Sequence, residues 1–183
     1  MKKLTYEELL ALHLSEESLK TAVRHPIAVI LSNIRSLYNV GSIFRTADSA
    51  MISELILCGF TPCPPRKEIL KTALGATETV PWRYFESTAA AIIKLKSEGW
   101  NVAALELTNK SIDYNLIAAE HFPLAIVAGN EITGVDNEVL QLCDFAIELP
   151  MYGIKHSLNV SVAVGIAVYN TLTKLNLKKY EKN

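Results

Sequence analysis

Five short runs of this chain are apolar almost from end to end: IAVILS (27–32), LILCG (55–59), NVAALEL (101–107), LAIVA (124–128) and FAIEL (145–149). A strand with one wet face alternates polar and apolar residues, so unbroken runs of this length read as strands covered on both faces. Helical segments lie between them. Gly41–Ile52 places Ile43, Phe44, Ala47, Ala50 and Met51 at helical spacing. Further helices are expected at 67–74, ended by Gly75, at 88–98 between a Ser87 cap and Gly99, at about 136–142, and at roughly 158–175. Alternating buried strands and helices predict an α/β fold: a mostly parallel sheet covered by helices on both faces. Ahead of it, Thr5 with Glu8 has the form of a capping box, flanked by Leu4 and Leu9 as a staple, and Ser15 starts a second short helix that stops before Pro26. The expected organisation is a helical extension at 1–25, one domain at 26–176 and a basic tail at 177–183.

At 183 residues, half of them hydrophobic and a fifth charged, the chain is long enough and apolar enough to bury a core rather than remain disordered. No apolar run reaches the ~18 residues of a membrane helix. The N-terminus turns acidic by Glu7, a poor secretory signal. Cys58, Cys63 and Cys143 form no CxxC pair, so reduced thiols and a cytoplasmic location are expected. The net charge of −1 argues against a protein that coats duplex nucleic acid, so any nucleic-acid surface must be local. Its candidate bases are Arg24, Arg35, Arg45, Arg66, Lys67, Lys71, Lys155 and His156, each of which taken singly is more simply a solvated charge.

In sheets of this type ligands bind beyond the carboxyl ends of the strands. The segments there are Asn33–Gly41, Thr108–Ser111, Gly129–Gly134 and Pro150–Ser157. In the first, Asn33 and Asn39 flank a turn, Gly41 opens a helix and Arg45 lies one turn in. The two asparagines fit either loop architecture or a site. Arg45 interrupts an apolar helix, and a semi-buried guanidinium calls for an anion. In the second key loop, GNEITG, two glycines permit close backbone approach around the carboxylate of Glu131. In the third, Pro150, Gly153 and KHS break the apolar pattern before SLNVS begins a helix, where Ser157 or Asn159 can serve as a cap. The small residues Ser161, Ala163 and Gly165 in that helix permit close packing.

Taken together, N-x5-N-x-G-x3-R, GNExxG and ELPMYGIKHSLNVSVA resemble the three motifs of the SpoU/TrmH family of RNA 2′-O-ribose methyltransferases, in the SPOUT class. The likeness covers about residues 27–170. One departure is Asn130, where many members carry Ser; the backbone is expected to matter most there.

The resemblance implies a C-terminal deep trefoil knot and S-adenosyl-L-methionine as methyl donor. Carried over by position, the donor pocket comprises Leu105, Glu106, Gly129, Asn130, Ile147, Leu149, Met151, Ser157 and Leu158. The catalytic group comprises Arg45, Asn39, Glu131, Ser157 and Asn159, with Arg45 either accepting the 2′-hydroxyl proton or binding phosphate and stabilising the alkoxide. No metal is expected. The implied partners are RNA and a second copy of the chain, paired through the knot region and last helix. The favoured substrate is tRNA, at a D-loop guanosine, with 23S ribosomal RNA as the alternative. A base methyltransferase of the same class, a non-catalytic RNA-binding scaffold and an unrelated flavodoxin-like binder are the competing readings. The presence of Arg45, Glu131 and Asn159 speaks against a scaffold.

Overall fold

The computed structural model describes residues 1–12 and 15–175; the basic tail at 177–183 lies outside them. In chain order the elements are α1 (Tyr6–Leu10), α2 (Glu16–Thr21), β1 (His25–Ser32), α3 (Leu37–Ser49), β2 (Ile52–Cys58), α4 (Lys67–Ala73), α5 (Ala76–Thr79), β3 (Trp82–Phe85), α6 (Thr88–Ser97), β4 (Asn101–Leu105), β5 (Ile112–Asp113), β6 (Leu124–Ala128), α7 (Asn137–Leu140), β7 (Phe145–Glu148) and α8 (Val160–Thr173). Among the described residues seven strands form one sheet, ordered β3-β2-β1-β6-β4-β7-β5. Every pairing in it is parallel.

The apolar runs explain the layering. Alternate residues of β1 point to opposite faces. Ile27, Val29 and Leu31 join a core with Phe44 of α3, Ile69 of α4 and Val164, Ala167 and Val168 of α8. Ala28 and Ile30 join a second core with Ala91, Ile92 and Leu95 of α6 and Val139 of α7. Both faces of the sheet are therefore covered by helices, as the unbroken runs predict. The N-terminal capping box is present: the Glu8 amide donates to Thr5 Oγ1, and the Thr5 amide donates to Glu8 Oε2 at 2.7 Å.

The boundaries depart from expectation in three places. Helix α3 begins at Leu37, not Gly41, and ends at Ser49, because Met51 takes a left-handed turn (φ 50°) into a strand that already starts at Ile52. At the end of α4 it is Leu74 that caps in the left-handed conformation, with Gly75 following in it. Strands β3 and β5 carry no apolar run. The four-residue β3 lies at a sheet edge and places Arg83 in a forked pair with Glu54 (2.6 and 2.7 Å), while β5 has only two residues.

Burial pushes the Cys58 thiol up to about 12 and that of Cys143 to about 11, so neither is a thiolate near neutral pH. Among the described residues no helix is long and apolar enough to cross a membrane.

Candidate functional site

The loops after β1, β6 and β7 meet beyond the carboxyl ends of the sheet, and one carboxylate organises them. Glu131 accepts hydrogen bonds from the amides of Arg35 (2.9 Å) and Ser36 (3.1 Å) and from Asn39 Nδ2 (2.9 Å). Burial pulls its carboxyl upward, but bonds from the Arg35 amide, the Asn39 side chain and the Ser36 amide outweigh that and hold it below the ordinary carboxylate range. At neutral pH it is an acceptor only. A negative group on the free amides at the start of α3 also complements the helix dipole. The cap of α3 itself is local, the Ser36 hydroxyl accepting from the Asn39 amide, and Glu131 fixes the two residues that lead into it.

The network continues across the chain. Asn159 Nδ2 donates to Asn39 Oδ1 at 3.1 Å, while Asn159 Oδ1 accepts from the Ser161 amide (2.9 Å) and hydroxyl (2.7 Å), capping α8. Glu131, Asn39 and Asn159, far apart in sequence, thus form one hydrogen-bonded chain that joins all three motif loops. Ser157 does not join it: its side chain is exposed and makes no hydrogen bond among the described residues.

The Gly129–Gly134 loop is tightly folded. The Asn130 amide donates to the Gly134 carbonyl (3.0 Å) and the Gly134 amide to the Asn130 carbonyl (2.9 Å). Gly134 has φ +70°, and a Cβ there would strike Glu106, whose Oε2 accepts from the Val135 amide at 2.9 Å. The backbone is expected to matter most at Asn130, and its side chain takes part as well. Its Nδ2 donates to the Asn33 carbonyl (2.7 Å), and its Oδ1 accepts from the amides of Ile132 (2.8 Å) and Thr133 (3.2 Å). Asn33, left-handed at φ 57°, holds the neighbouring turn through Phe60 and so has an architectural role.

Together the loops enclose a cavity of about 750 Å³. That lies within the roughly 300–1,000 Å³ range of small-molecule sites. All nine residues expected at the donor pocket line it: Leu105, Glu106, Gly129, Asn130, Ile147, Leu149, Met151, Ser157 and Leu158. Glu131 and Asn159 line it too. The sequence reading omitted Glu148, Lys155 and His156 from the site, although they also line the cavity. Lys155 and His156 stand in the third motif, and their position there was the available signal. Among the described residues no group of three or more His, Cys, Asp or Glu is placed to hold a metal ion.

Arg45 lies elsewhere. It is exposed, not semi-buried, and lines a separate depression of about 450 Å³ with Thr46, Ser49 and Lys71. It makes no ion pair among the described residues. Asp48, its neighbour on α3, instead accepts from Thr79 Oγ1. Within a single chain the proposed catalytic group is therefore divided. The reason is helical geometry: Arg45 is a turn and a half beyond Asn39, on a different face of α3.

Fold and site define an α/β protein with a ligand-sized cavity at the carboxyl ends of a parallel sheet, walled by glycine-bearing loops. A sequence model of the SpoU rRNA Methylase family matches residues 26–169, and the chain belongs to that family. It is 37% identical over 146 residues to a protein of Staphylococcus haemolyticus named for the TrmH family of tRNA/rRNA methyltransferases, a match covering 80% of this chain and 58% of that relative. The chain thus spans less than two thirds of that relative's length. Among solved structures, it is similar to an AdoMet-bound rRNA methyltransferase from Sinorhizobium meliloti (TM-score 0.78, 29% identity, covering 86% of this chain and 60% of that one). It is also similar to a TrmH/SpoU tRNA modifying enzyme of A. aeolicus (TM-score 0.76, 27% identity, covering 87% and 83%).

Proposed function

We propose that this protein is an S-adenosylmethionine-dependent RNA 2′-O-ribose methyltransferase acting on tRNA, with residues 26–176 as the catalytic unit, 1–25 as an appended helical pair and the C-terminal part threaded as a deep trefoil knot. The observation that carries this reading is the Glu131–Asn39–Asn159 chain at the mouth of the cavity. It draws into one place the polar residues of three loops that otherwise serve no common structural element. The similar S. meliloti structure has AdoMet bound, which supports the same donor here.

When bound, the donor supplies an activated methyl group on a positively charged sulfur. Transfer would form the oxygen–carbon bond as the sulfur–carbon bond breaks, release the demethylated donor, and pass the hydroxyl proton to water unless Arg45 takes it. The protein must hold oxygen and methyl in line and stabilise the oxygen as it loses its proton. Backbone groups of Gly129–Gly134 and 147–158 hold the donor, and Asn39, Glu131, Ser157 and Asn159 position the ribose. Arg45 binds phosphate and stabilises the alkoxide, or accepts the proton. The first role suits a guanidinium better, because it stays protonated.

A second copy of the chain completes the site. Val162, Ile166 and Tyr169 leave α8 with an apolar outer face, 50, 38 and 50% exposed. That face is the surface α8 offers to a partner; Ser161 and Gly165, four residues apart, flank it, whereas Ala163 lies on another side and lines the cavity. Arg45 shares a depression with Tyr169 of that face, so pairing there would put it at the seam between copies. Light scattering should give a dimeric mass at micromolar concentration; a monomeric mass overturns the shared site.

The tRNA reading takes a D-loop guanosine as target. Ribosomal RNA is the second reading, favoured by the likeness to the S. meliloti rRNA enzyme. Calorimetry should show one S-adenosylmethionine site per chain, blocked by the demethylated product. Mapping 2′-O-methyl groups in RNA from cells with and without the protein should then show loss at one tRNA position. No donor binding by folded protein removes the methyltransferase reading. Loss at a ribosomal position instead moves the substrate.

A further inference from the structure

Beside the cavity, a turn presents an aromatic ring to solvent on an unusually well-tied backbone. Phe60 is 62% exposed, yet the residues around it are held at many points. Its amide donates to Asn33 Oδ1 (3.3 Å), the Gly59 amide to the Phe85 carbonyl (3.1 Å), and the Thr61 amide to the Cys58 carbonyl (3.2 Å). The buried Thr61 hydroxyl donates to the Leu31 carbonyl and accepts from the Ile34 amide, both at 3.0 Å. Tyr84, opposite Leu57 in the sheet and 49% exposed, donates its hydroxyl to the Gly59 carbonyl at 2.9 Å. Prolines 62, 64 and 65 follow. One exposed Phe is ordinary on a protein surface; one on a turn fixed this thoroughly is a preformed platform.

Two further observations say what it fits. Asn33, which anchors the turn, gives its carbonyl to Asn130 Nδ2 at 2.7 Å, so the platform is one residue removed from the cavity's loops. Arg66 and Lys67 close the turn and Arg35 lies two residues beyond its anchor Asn33; all three are exposed, and none makes an ion pair among the described residues. The acids nearest the turn in sequence are Glu68 and Glu54, the latter paired with Arg83, and the Glu131 carboxylate is taken by the backbone amides of Arg35 and Ser36. By contrast Arg83, Lys94 and Lys96 each have a carboxylate partner. In a chain of net charge −1, aromatic rings among unmatched cations beside the cavity form a locally basic, stackable surface.

We propose that the Gly59–Lys67 turn is a docking platform for an unpaired nucleotide of the RNA substrate next to the methylated one, with Phe60 stacking its base and Arg35, Arg66 and Lys67 taking its phosphates. The inference rests on the RNA methyltransferase reading. Stacking suits a target in a loop, whose bases are unpaired and splayed, and it tolerates any base because every base has a π-face. With no side-chain ion pair at the three cations among the described residues, the surface favours a polyanion over a protein partner.

The test compares wild type, Phe60→Ala, Phe60→Trp and the double variant Arg66→Ala/Lys67→Ala. Affinity for the tRNA pool of cells lacking the protein is read by fluorescence anisotropy at several salt concentrations, and S-adenosylmethionine affinity by calorimetry. Phe60→Ala should weaken RNA binding by about tenfold, with donor affinity unchanged and Phe60→Trp near wild type. The double variant should lower the slope of log affinity against log salt by about two. RNA affinity of Phe60→Ala within twofold of wild type overturns the platform alone. Absence of RNA binding by the wild-type protein removes the RNA reading, and the platform with it.

Discussion

Replacing Arg45 with alanine should lower the single-turnover rate of methyl transfer by about 10²–10³-fold, the usual size of a lost electrostatic stabiliser, while melting temperature and donor affinity stay at wild-type values. The structure sharpens this expectation. An arginine that held the fold together would be paired or packed, but Arg45 is exposed and makes no ion pair among the described residues. Its nearest acid on α3, Asp48, is engaged by Thr79. Nor does it line the cavity at the carboxyl ends of the sheet. Its side chain makes no hydrogen bond or ion pair among the described residues, which leaves it free to act on a substrate in the proposed shared site. Arg45→Lys keeps the charge and loses the planar fork, so it too should lose turnover if two phosphate oxygens, or a phosphate and the forming alkoxide, are held at once. Single-turnover methylation, thermal melting and calorimetry on both variants check this. Methylation by Arg45→Ala at the wild-type rate sinks the catalytic assignment. A drop in melting temperature and donor affinity together would instead make Arg45 structural.

What the sequence made legible follows from where its information is local. The five apolar runs became β1, β2, β4, β6 and β7, because continuous burial on two faces is written into each run by itself. Helix ends set by neighbouring side chains were legible too, as at Thr5, Ser87 and Asn159. The start of α3 was missed although its cap, Ser36, is local, because Asn39 and Gly41 in its first turns read as turn residues; Glu131, almost a hundred residues away, fixes the segment that leads into it. Edge strands β3 and β5 were hidden for a related reason: they are short, half-buried, and defined by the neighbour they pair with.

The site divides in the same way. The nine residues expected at the donor pocket lie together in the cavity wall, since loops after parallel strands gather at one end of the sheet, while Glu148, Lys155 and His156 in the same wall were missed. The hydrogen-bonded chain from Glu131 through Asn39 to Asn159 was foreseen only as a set of residues, not as a connection. The Asn130 side chain was undervalued because its acceptor, the Asn33 carbonyl, is in another loop. Arg45 was expected to be semi-buried beside Phe44; the two are adjacent in sequence, but one faces the core and the other faces solvent.

A single methyl group at residue 129 should be nearly as damaging as the loss of Arg45, by a different route. A Cβ on Gly129 would overlap the backbone of Gly134 and Val135, and backbone held by the Asn130–Gly134 hydrogen bonds has no rotamer with which to yield. Forcing an extra carbon into a packed site costs about 1–3 kcal/mol. Relief would come from moving the Gly129–Gly134 loop, which forms one wall of the cavity and carries Glu131. Gly129→Ala should therefore lower the melting temperature and weaken S-adenosylmethionine binding roughly tenfold to a hundredfold together. Gly134→Ala should do the same, with about 1–2 kcal/mol added for its left-handed backbone. Gly153 makes the contrast: it lines the same cavity, but a Cβ there meets nothing within 4 Å of the chain's own atoms. Gly153→Ala should leave the melting temperature alone and weaken binding only through contact with the donor. Calorimetry and thermal melting on the three variants separate a loop that shapes the pocket from a pocket that holds the ligand. Wild-type donor affinity in Gly129→Ala would mean that the donor does not depend on this loop, and would remove the cavity as its site.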